Sequence, residues 1–475
     1  MKHTKIVATI SDLRCDPEFL KTLHESGMNV VRMNTAHMTP DTARPLIDSV
    51  RAVSDKIAIL VDTKGPEIRT VGIEAPIEVA EGEIVEVSGI IREKSETGRK
   101  FFAVSYEKMH IEIPVGKQIL IDDGETAFTV VDKEADCVLC RVENKGKIKN
   151  RKSVNTPGFT VQLPSISAKD ESFIKFSAEL GIDFIAHSFV RNAADVIAVQ
   201  KILDEFNSPI KIIAKIENID GVENIDEILD HAYGVMVARG DLGIEIPAQK
   251  IPGIQRHLIK KCVERKKPVI VATQMLHTMI DNPRPTRAEV SDVANAIFSR
   301  ADAIMLSGET AYGNYPIEAV RVMNSIANEV EHSKDKRNDI TVPLVENEIP
   351  AFLAEAAIQA SNELPTKAIV TNTKTGRTAR YLAAFRGTKP VYAQCYEPHV
   401  ARILSLSYGV YADVIEPKKD KFKMVRTSLK ALTEKGTLEG DDQIVYVGGS
   451  FGIGGGSTFM EISTVEKLTQ KESDK

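Results

Sequence analysis

The stretch "IKIIAKIEN" (residues 210–218) decides how the chain is read. It opens as an apolar run broken only by Lys211, the pattern of a strand buried on both faces. With no turn residue between, it then meets Lys215 and Glu217. Side chains two apart on a strand share a face, so these two project together while Ile216 points the opposite way. Taken alone, the pair reads as an ion pair closing a strand. What the neighbouring strands carry at the same level decides whether it is more.

Seven other segments have the same form: "KIVATI" (5–10), "VVRMN" (30–34), "AILVDTK" (58–64), "DFIAHS" (183–188), "GVMVARG" (234–240), "VIVATQM" (269–275) and "AIMLSGE" (303–309). Each starts apolar and ends polar. Amphipathic helical stretches such as "PEFLKTLHESG", "AADVIAVQKILDEF" and "IPGIQRHLIKKCVER" separate most of them. Eight buried parallel strands alternating with helices predict an α/β fold closed as a (β/α)8 TIM barrel. Its active site gathers at the C-terminal strand ends, where Lys215 and Glu217 then face the mouth.

The remaining strand ends bring suitable company. Strand two supplies Arg32 and Asn34 on one face, with His37 just beyond, and strand three ends "VDTKGPEIRT", giving Asp62, Thr63, Glu67 and Arg69. "ARGDLG" after strand six places Asp241 beside Glu217 as a second carboxylate, a donor set suited to Mg2+ or Mn2+. The Gly240–Asp241 backbone offers N–H groups to an anion. Strand seven ends at Thr273 and strand eight in "SGET", beginning with Ser307. Two carboxylates, a lysine, two arginines and several hydroxyls equip the mouth for metal-bridged phosphoryl transfer, which is mostly positioning and charge neutralisation.

Two regions lie outside this rhythm. Residues 70–159 show alternating β segments, the turn signals "DDG" (122–124) and "NKG" (144–146), and no convincing helix; they predict a small β-barrel domain inserted as a lid between barrel segments 1–69 and 160–338. Beyond a polar linker candidate, "SKDKRND" (333–339), residues 339–475 predict a three-layer α/β domain of about five strands. There "TKTGRTAR" (373–380) follows a strand and enters a helix, a turn that exposes N–H groups to a phosphate but also serves as an ordinary connection.

Composition fits a large globular protein. The 475 residues are 43% hydrophobic and 27% charged, and a net charge of −6 provides no basic field for nucleic acid. No apolar run reaches membrane-spanning length, the start "MKHTKIVATISD" is too short in apolar residues for a secretory signal, and five cysteines in so long a chain fit reduced thiols, so a cytoplasmic protein is expected. Cys137 and Cys140 form a C-x-x-C without a second ligand pair and read as strand cysteines rather than a zinc site.

The segments "TKIVATI", "GMNVVRMN", "VDTKGPEIRT", "ILIDDG", "NTPG", "KIEN", "ARGDLG", "ATQML", "NPRPTRAEVSDVANA" and "LSGETA" resemble, in order and over essentially the whole chain, the pyruvate kinase family. That resemblance implies phosphoryl transfer from phosphoenolpyruvate to ADP, giving ATP and enolpyruvate that is protonated to pyruvate. It implies Glu217 and Asp241 as ligands of the divalent metal, Lys215 at the transferring phosphoryl, and Arg32 on its oxygens. Gly240, Asp241 and Thr273 match the substrate-carboxylate contacts. Asn34, His37, Arg69 and Lys152 match the nucleotide side, and Thr273 and Ser307 are hydroxyls on the proton's path. A homotetramer is the family's usual state, and "NPRPTRAEV" matches a segment near its subunit contacts.

Two departures stand out. The family usually reads R-x-N-F-S-H where this chain has "RMNTAH". Asn34, Asp62 and Thr63 match the potassium ligands, but Ala36 replaces the serine. Strand alternation puts residues 34 and 36 on one face and Thr35 on the other. Glu67 is the residue of potassium-dependent members, so a K+ site completed by water is expected. Thr373, Thr375, Gly376, Arg377 and Thr378 match a loop that binds a sugar-phosphate effector in regulated members, whereas "GGSFGIGGGST" (448–458) departs from familiar activator loops; a sugar phosphate or AMP is the expected effector class. Two rival readings share the scaffold: a Mg2+-dependent lyase acting on pyruvate-like enolates, and a catalytically silent sugar-phosphate sensor.

Overall fold

The computed structural model describes residues 2–92, 95, 97–159, 161, 163–333, 342–343, 348–418, 420–449 and 456–470. Most of the 333–339 stretch and the middle of the 448–458 stretch lie outside the described residues.

Eight strands close the expected barrel: Lys5–Thr9, Val30–Asn34, Ala58–Asp62, Phe184–His187, Lys211–Ile216, Gly234–Ala238, Val269–Ala272 and Ala303–Leu306. All neighbours run parallel, with strand one pairing both strand two and strand eight. Helices follow the sequence's own punctuation. Pro17–Ser26 is capped by the Asp16 side chain, carries proline in its first turn and stops at Gly27, whose φ of 124° suits glycine. Arg287–Phe298 starts in a capping box made by Thr286 and Glu289.

Period-two alternation sorts the strand side chains. Val7, Val30, Leu60, Phe184, Ile213, Met236, Ile270 and Met305 fill the barrel interior, while Ile6, Ile59, Ile212, Ala214 and Ile216 face the helical layer. Ile403 and Leu406 of the C-terminal domain join the interior cluster and close the barrel floor. Lys5, 2% exposed, donates across the same seam to the Val410 carbonyl at 2.6 Å.

Between strands three and four, seven strands form a second closed barrel, from Ile68–Val71 to Ser153–Asn155, with its own core around Phe102 and Phe128. One short helix, Met109–Glu112, interrupts a segment expected to be all β. Cys137 and Cys140 are buried free thiols. The C-terminal sheet has five strands in the order Val410–Val414, Val391–Cys395, Ala368–Thr373, Gln443–Gly449 and Ser457–Thr464, the last antiparallel to its neighbour.

Candidate active site

At the mouth, the Lys215 ammonium has three anchors: Ser188 Oγ at 2.7 Å, Asp62 Oδ1 at 3.0 Å and Glu217 Oε1 at 3.0 Å. Burial alone would lower its pKa, but Asp62 and Glu217 hold it above the ordinary lysine value. The ion pair suspected from "KIEN" is therefore real, and Lys215 belongs to a wider cluster.

Asp62 is shared. Its Oδ2 accepts from Arg32 Nε at 2.6 Å, and Arg32 Nη1 donates to Thr9 Oγ1 at 3.0 Å. Burial pushes the Asp62 carboxyl up, yet Arg32 and Lys215 together hold it below the usual range. Ser188 is a link that charge patterning in the sequence passes over. Its hydroxyl accepts from Lys215 and donates to the Thr63 carbonyl at 2.6 Å.

Glu217 takes a hydrogen bond from the Phe189 amide at 2.6 Å. Burial raises its pKa to about 7, against the pull of Lys215. Burial likewise raises Asp241, which stands within hydrogen-bonding reach of Glu217. Two carboxylates pressed together in a buried site fit a divalent cation, whose charge would offset their mutual repulsion. Among the described residues no group of three or more Asp, Glu, His or Cys side chains is arranged to hold a metal ion, so the protein's own carboxylate contribution is this pair.

Asp241 and Gly240 lie not on strand six but in the first turn of helix Arg239–Glu245, which begins directly after Ala238. The Gly240 amide donates to Thr273 Oγ1 at 2.8 Å, and that hydroxyl donates to the Ala272 carbonyl. Thr273 and Gln274 take φ of 67° and 54°, a left-handed pair that costs non-glycine residues energy. Arg239 stabilises it, donating to the Thr273 carbonyl at 2.7 Å while paired with Asp292 at 2.7 Å. Glu309 performs the same service next door, accepting from the Ser307 and Leu276 amides. The Ser307 hydroxyl is buried without a hydrogen-bond partner.

Past Asn34 the chain enters a 3-10 turn, Thr35–His37, so strand alternation does not govern Thr35 or Ala36. Asn34 Oδ1 accepts from the Ala36 amide at 3.1 Å, and Thr35 Oγ1 donates to the Asp62 carbonyl at 2.9 Å. Asn34, Asp62 and Thr63 thus occupy one corner, with Asn34 in register with Asp62. Those oxygens fit a monovalent cation; position 36 contributes only a methyl group.

The lid lies over this mouth. A cavity lined by Glu67, Asp123, Phe159, Phe189, Asn218 and Asp241 separates the two. Arg69 is held by Glu67 at 2.7 Å and reaches the Arg151 carbonyl, while Lys152 pairs with Asp122 at 2.8 Å. His37 is exposed near strand two.

The candidate effector loop belongs to the C-terminal domain, between strand Ala368–Thr373 and helix Arg377–Ala384. Thr373 Oγ1 caps the Gly376 amide at 2.9 Å, Thr378 Oγ bonds Ser457 Oγ at 2.6 Å, and Thr375 is exposed. Gly376 takes φ of 78°, and Arg377 bonds Tyr381 and Glu348.

Comparison with known proteins gives a consistent picture. Family profiles described as "Pyruvate kinase, barrel domain" and "Pyruvate kinase, alpha/beta domain" match residues 1–320 and 352–463. The chain is 48% identical over 471 residues to a pyruvate kinase of Borreliella burgdorferi, covering 98% of both chains. It is 42% identical over 481 residues to one of Bacillus licheniformis, covering 99% of this chain and 82% of that protein. The crystal structure of a pyruvate kinase from Cryptosporidium parvum superposes with a TM-score of 0.91 at 34% identity, covering 98% of this chain and 96% of that one.

Proposed function

The chain belongs to the pyruvate kinase family, and we propose how its own residues divide the family's reaction, the transfer of phosphoryl from phosphoenolpyruvate to ADP. The observation that carries the assignment is the buried Lys215–Glu217–Asp241 group, framed by Arg32 and Asp62 at the strand ends. Lys215 faces the phosphoryl group and offsets its charge as the bond to the enolate oxygen breaks. Arg32, braced by Asp62 and Thr9, grips the phosphoryl oxygens with a planar donor fork. The Gly240 and Asp241 amides and the Thr273 hydroxyl hold the substrate carboxylate, with Gly240 exchanging its bond to Thr273 for one to the anion.

Glu217 and Asp241 would hold the divalent metal, Mg2+ or Mn2+, which would supply charge neutralisation for the transferring phosphoryl group. Asn34, Asp62 and Thr63 would hold K+, with a water in the place left by Ala36. Arg69, Lys152 and His37, with Asn34, serve the nucleotide, so the 70–159 insert acts as a lid that brings phosphate contacts to the mouth. Enolpyruvate is left to be protonated by water held at Thr273 and Ser307, whose hydroxyl has no partner among the described residues. The 373–378 loop receives a phosphorylated sugar or AMP, in a cytoplasmic homotetramer. No helix among the described residues is long and apolar enough to cross a membrane.

The test is pyruvate formation from phosphoenolpyruvate and ADP with Mg2+ and K+, read through coupled lactate dehydrogenase. Folded protein producing no pyruvate would refute the reading. Lys215→Met should lower the rate by at least about 100-fold while the protein stays folded. Replacing K+ with a bulky organic cation should remove most activity; full activity there would end the potassium assignment.

A further inference from the structure

A second constellation sits at the opposite end of the barrel, where its floor meets the C-terminal domain. Lys266 and Lys267, just before strand seven, Asp302, just before strand eight, and Arg380, Arg386 and Ser407 of the C-terminal domain line a small space. It offers about 10 Å³ to the centre of a water-sized sphere, room for one small occupant.

The charges around it do not balance. Arg386 grips Asp302 with both terminal nitrogens, at 3.0 and 2.7 Å, so that carboxylate is consumed. Lys266 is paired with Glu348 at 2.8 Å. Lys267 reaches only neutral carbonyls, those of Leu229 and Ala232. Arg380 lies over the Tyr233 ring at 4.8 Å and has no carboxylate at ion-pair distance among the described residues. Lys267 feels the Asp230 carboxylate without an ion pair to it, and the Arg380 charge is offset by no ion pair among the described residues. Burial, and then repulsion from Arg380, lower the Lys267 pKa to about 8.

The hydrogen bonding is incomplete in the same sense. Arg380 Nε, Arg386 Nε and Ser407 Oγ are buried and have no partner. Arg386 and Ser407 are only 4% and 2% exposed, so bulk water does not serve them. Buried donors left unpaired are costly and uncommon. Guanidinium and ammonium groups only donate. A water could accept from the two Nε–H groups and donate to the Ser407 hydroxyl, but it would bring no charge to offset the Arg380 guanidinium. A monatomic anion accepts from every side and also supplies the missing charge. Sulfate and phosphate, each a cluster of five heavy atoms, exceed a space sized for one small occupant.

We propose that this cavity binds a single chloride-sized anion, and that the ion fastens the C-terminal domain to the barrel floor. It is bridged from the barrel by Lys267 and from the other domain by Arg380, Arg386 and Ser407.

Crystals of the full chain grown with bromide in place of chloride test the site directly. An anomalous difference peak at the bromine edge inside this cavity is expected; a water there with no anomalous signal overturns the proposal. In solution, chloride or bromide should raise Tm by on the order of 1–2 °C over gluconate at equal ionic strength, saturating as one site. Ser407→Ala should shift the half-saturating halide concentration upward several-fold, leaving turnover and the Tm in gluconate unchanged. An identical, unsaturating rise in all three salts, or a halide response unchanged in Ser407→Ala, would also overturn it.

Discussion

Lys215 is immobilised by a neutral hydroxyl as well as by two carboxylates, and the hydroxyl is the partner whose removal is cleanest to interpret. Ser188→Ala leaves Asp62 and Glu217 to satisfy the charge but removes the 2.7 Å contact that fixes the ammonium's direction. The expected result is a kcat about 10-fold lower with little change in the KM for phosphoenolpyruvate, because misplacement of a transition-state contact is felt mainly in the chemical step. A change in KM alone would assign Ser188 to substrate binding instead. At the neighbouring corner, Ala36→Ser adds an oxygen where Asn34 and Asp62 converge. It should lower the K+ concentration for half-maximal activity about three-fold or more, with a parallel gain in thallium(I) binding measured without substrate. No change in either would show that the turn holds position 36 away from the ion.

Among the elements, the eight barrel strands were legible because each is a short apolar run buried on both faces, and all eight occur where expected. The sequence pattern runs one to three residues past most of their C-terminal ends. Polar residues that continue a strand's alternation look alike in sequence whether or not the backbone stays extended. Here helix Arg239–Glu245 begins at once after Ala238, and Thr273 and Gln274 turn left-handed. The candidate site sits in that margin, so its membership was readable but its geometry was not. Ser188 carried a usable signal: it continues the inward alternation of Phe184 and Ala186 toward Lys215. Arg239 and Glu309 carried none, since they act by holding backbone atoms brought together only by the closed barrel. The lid's strand order likewise depends on pairings distant in sequence.

Burial, reinforced by Lys2, lowers the Lys5 pKa from 10.5 to about 7, against the pull of Glu331 and Asp302. Below pH 7 both folded and unfolded chains hold the proton, and the folded state bears the full cost of the buried charge. Above it the unfolded chain binds more protons, so Lys5's contribution grows more favourable as pH rises toward 10.5. Lys5→Met should remove up to about 1.4 kcal/mol per pH unit from the slope of stability between pH 7 and 9, measured by urea unfolding. Parallel slopes in the two proteins would disprove the shift.

For the whole molecule, the three parts are joined unequally. The lid has a core of its own, whereas the barrel and the C-terminal domain share one apolar cluster and buried ion pairs such as Arg386–Asp302. A chain ending at residue 342 should therefore bind a dye for exposed apolar surface and self-associate, while excision of the lid should leave the barrel folded; the reverse pattern would show that the seam is dispensable. Ile403 and Leu406 give that seam a timetable. The last barrel strand ends at Leu306, roughly 100 residues before the floor is stoppered. At a synthesis rate of about 5–20 residues per second, a nascent barrel waits some 5–20 s with an open, greasy underside, an interval in which neighbouring chains can meet through that exposed surface.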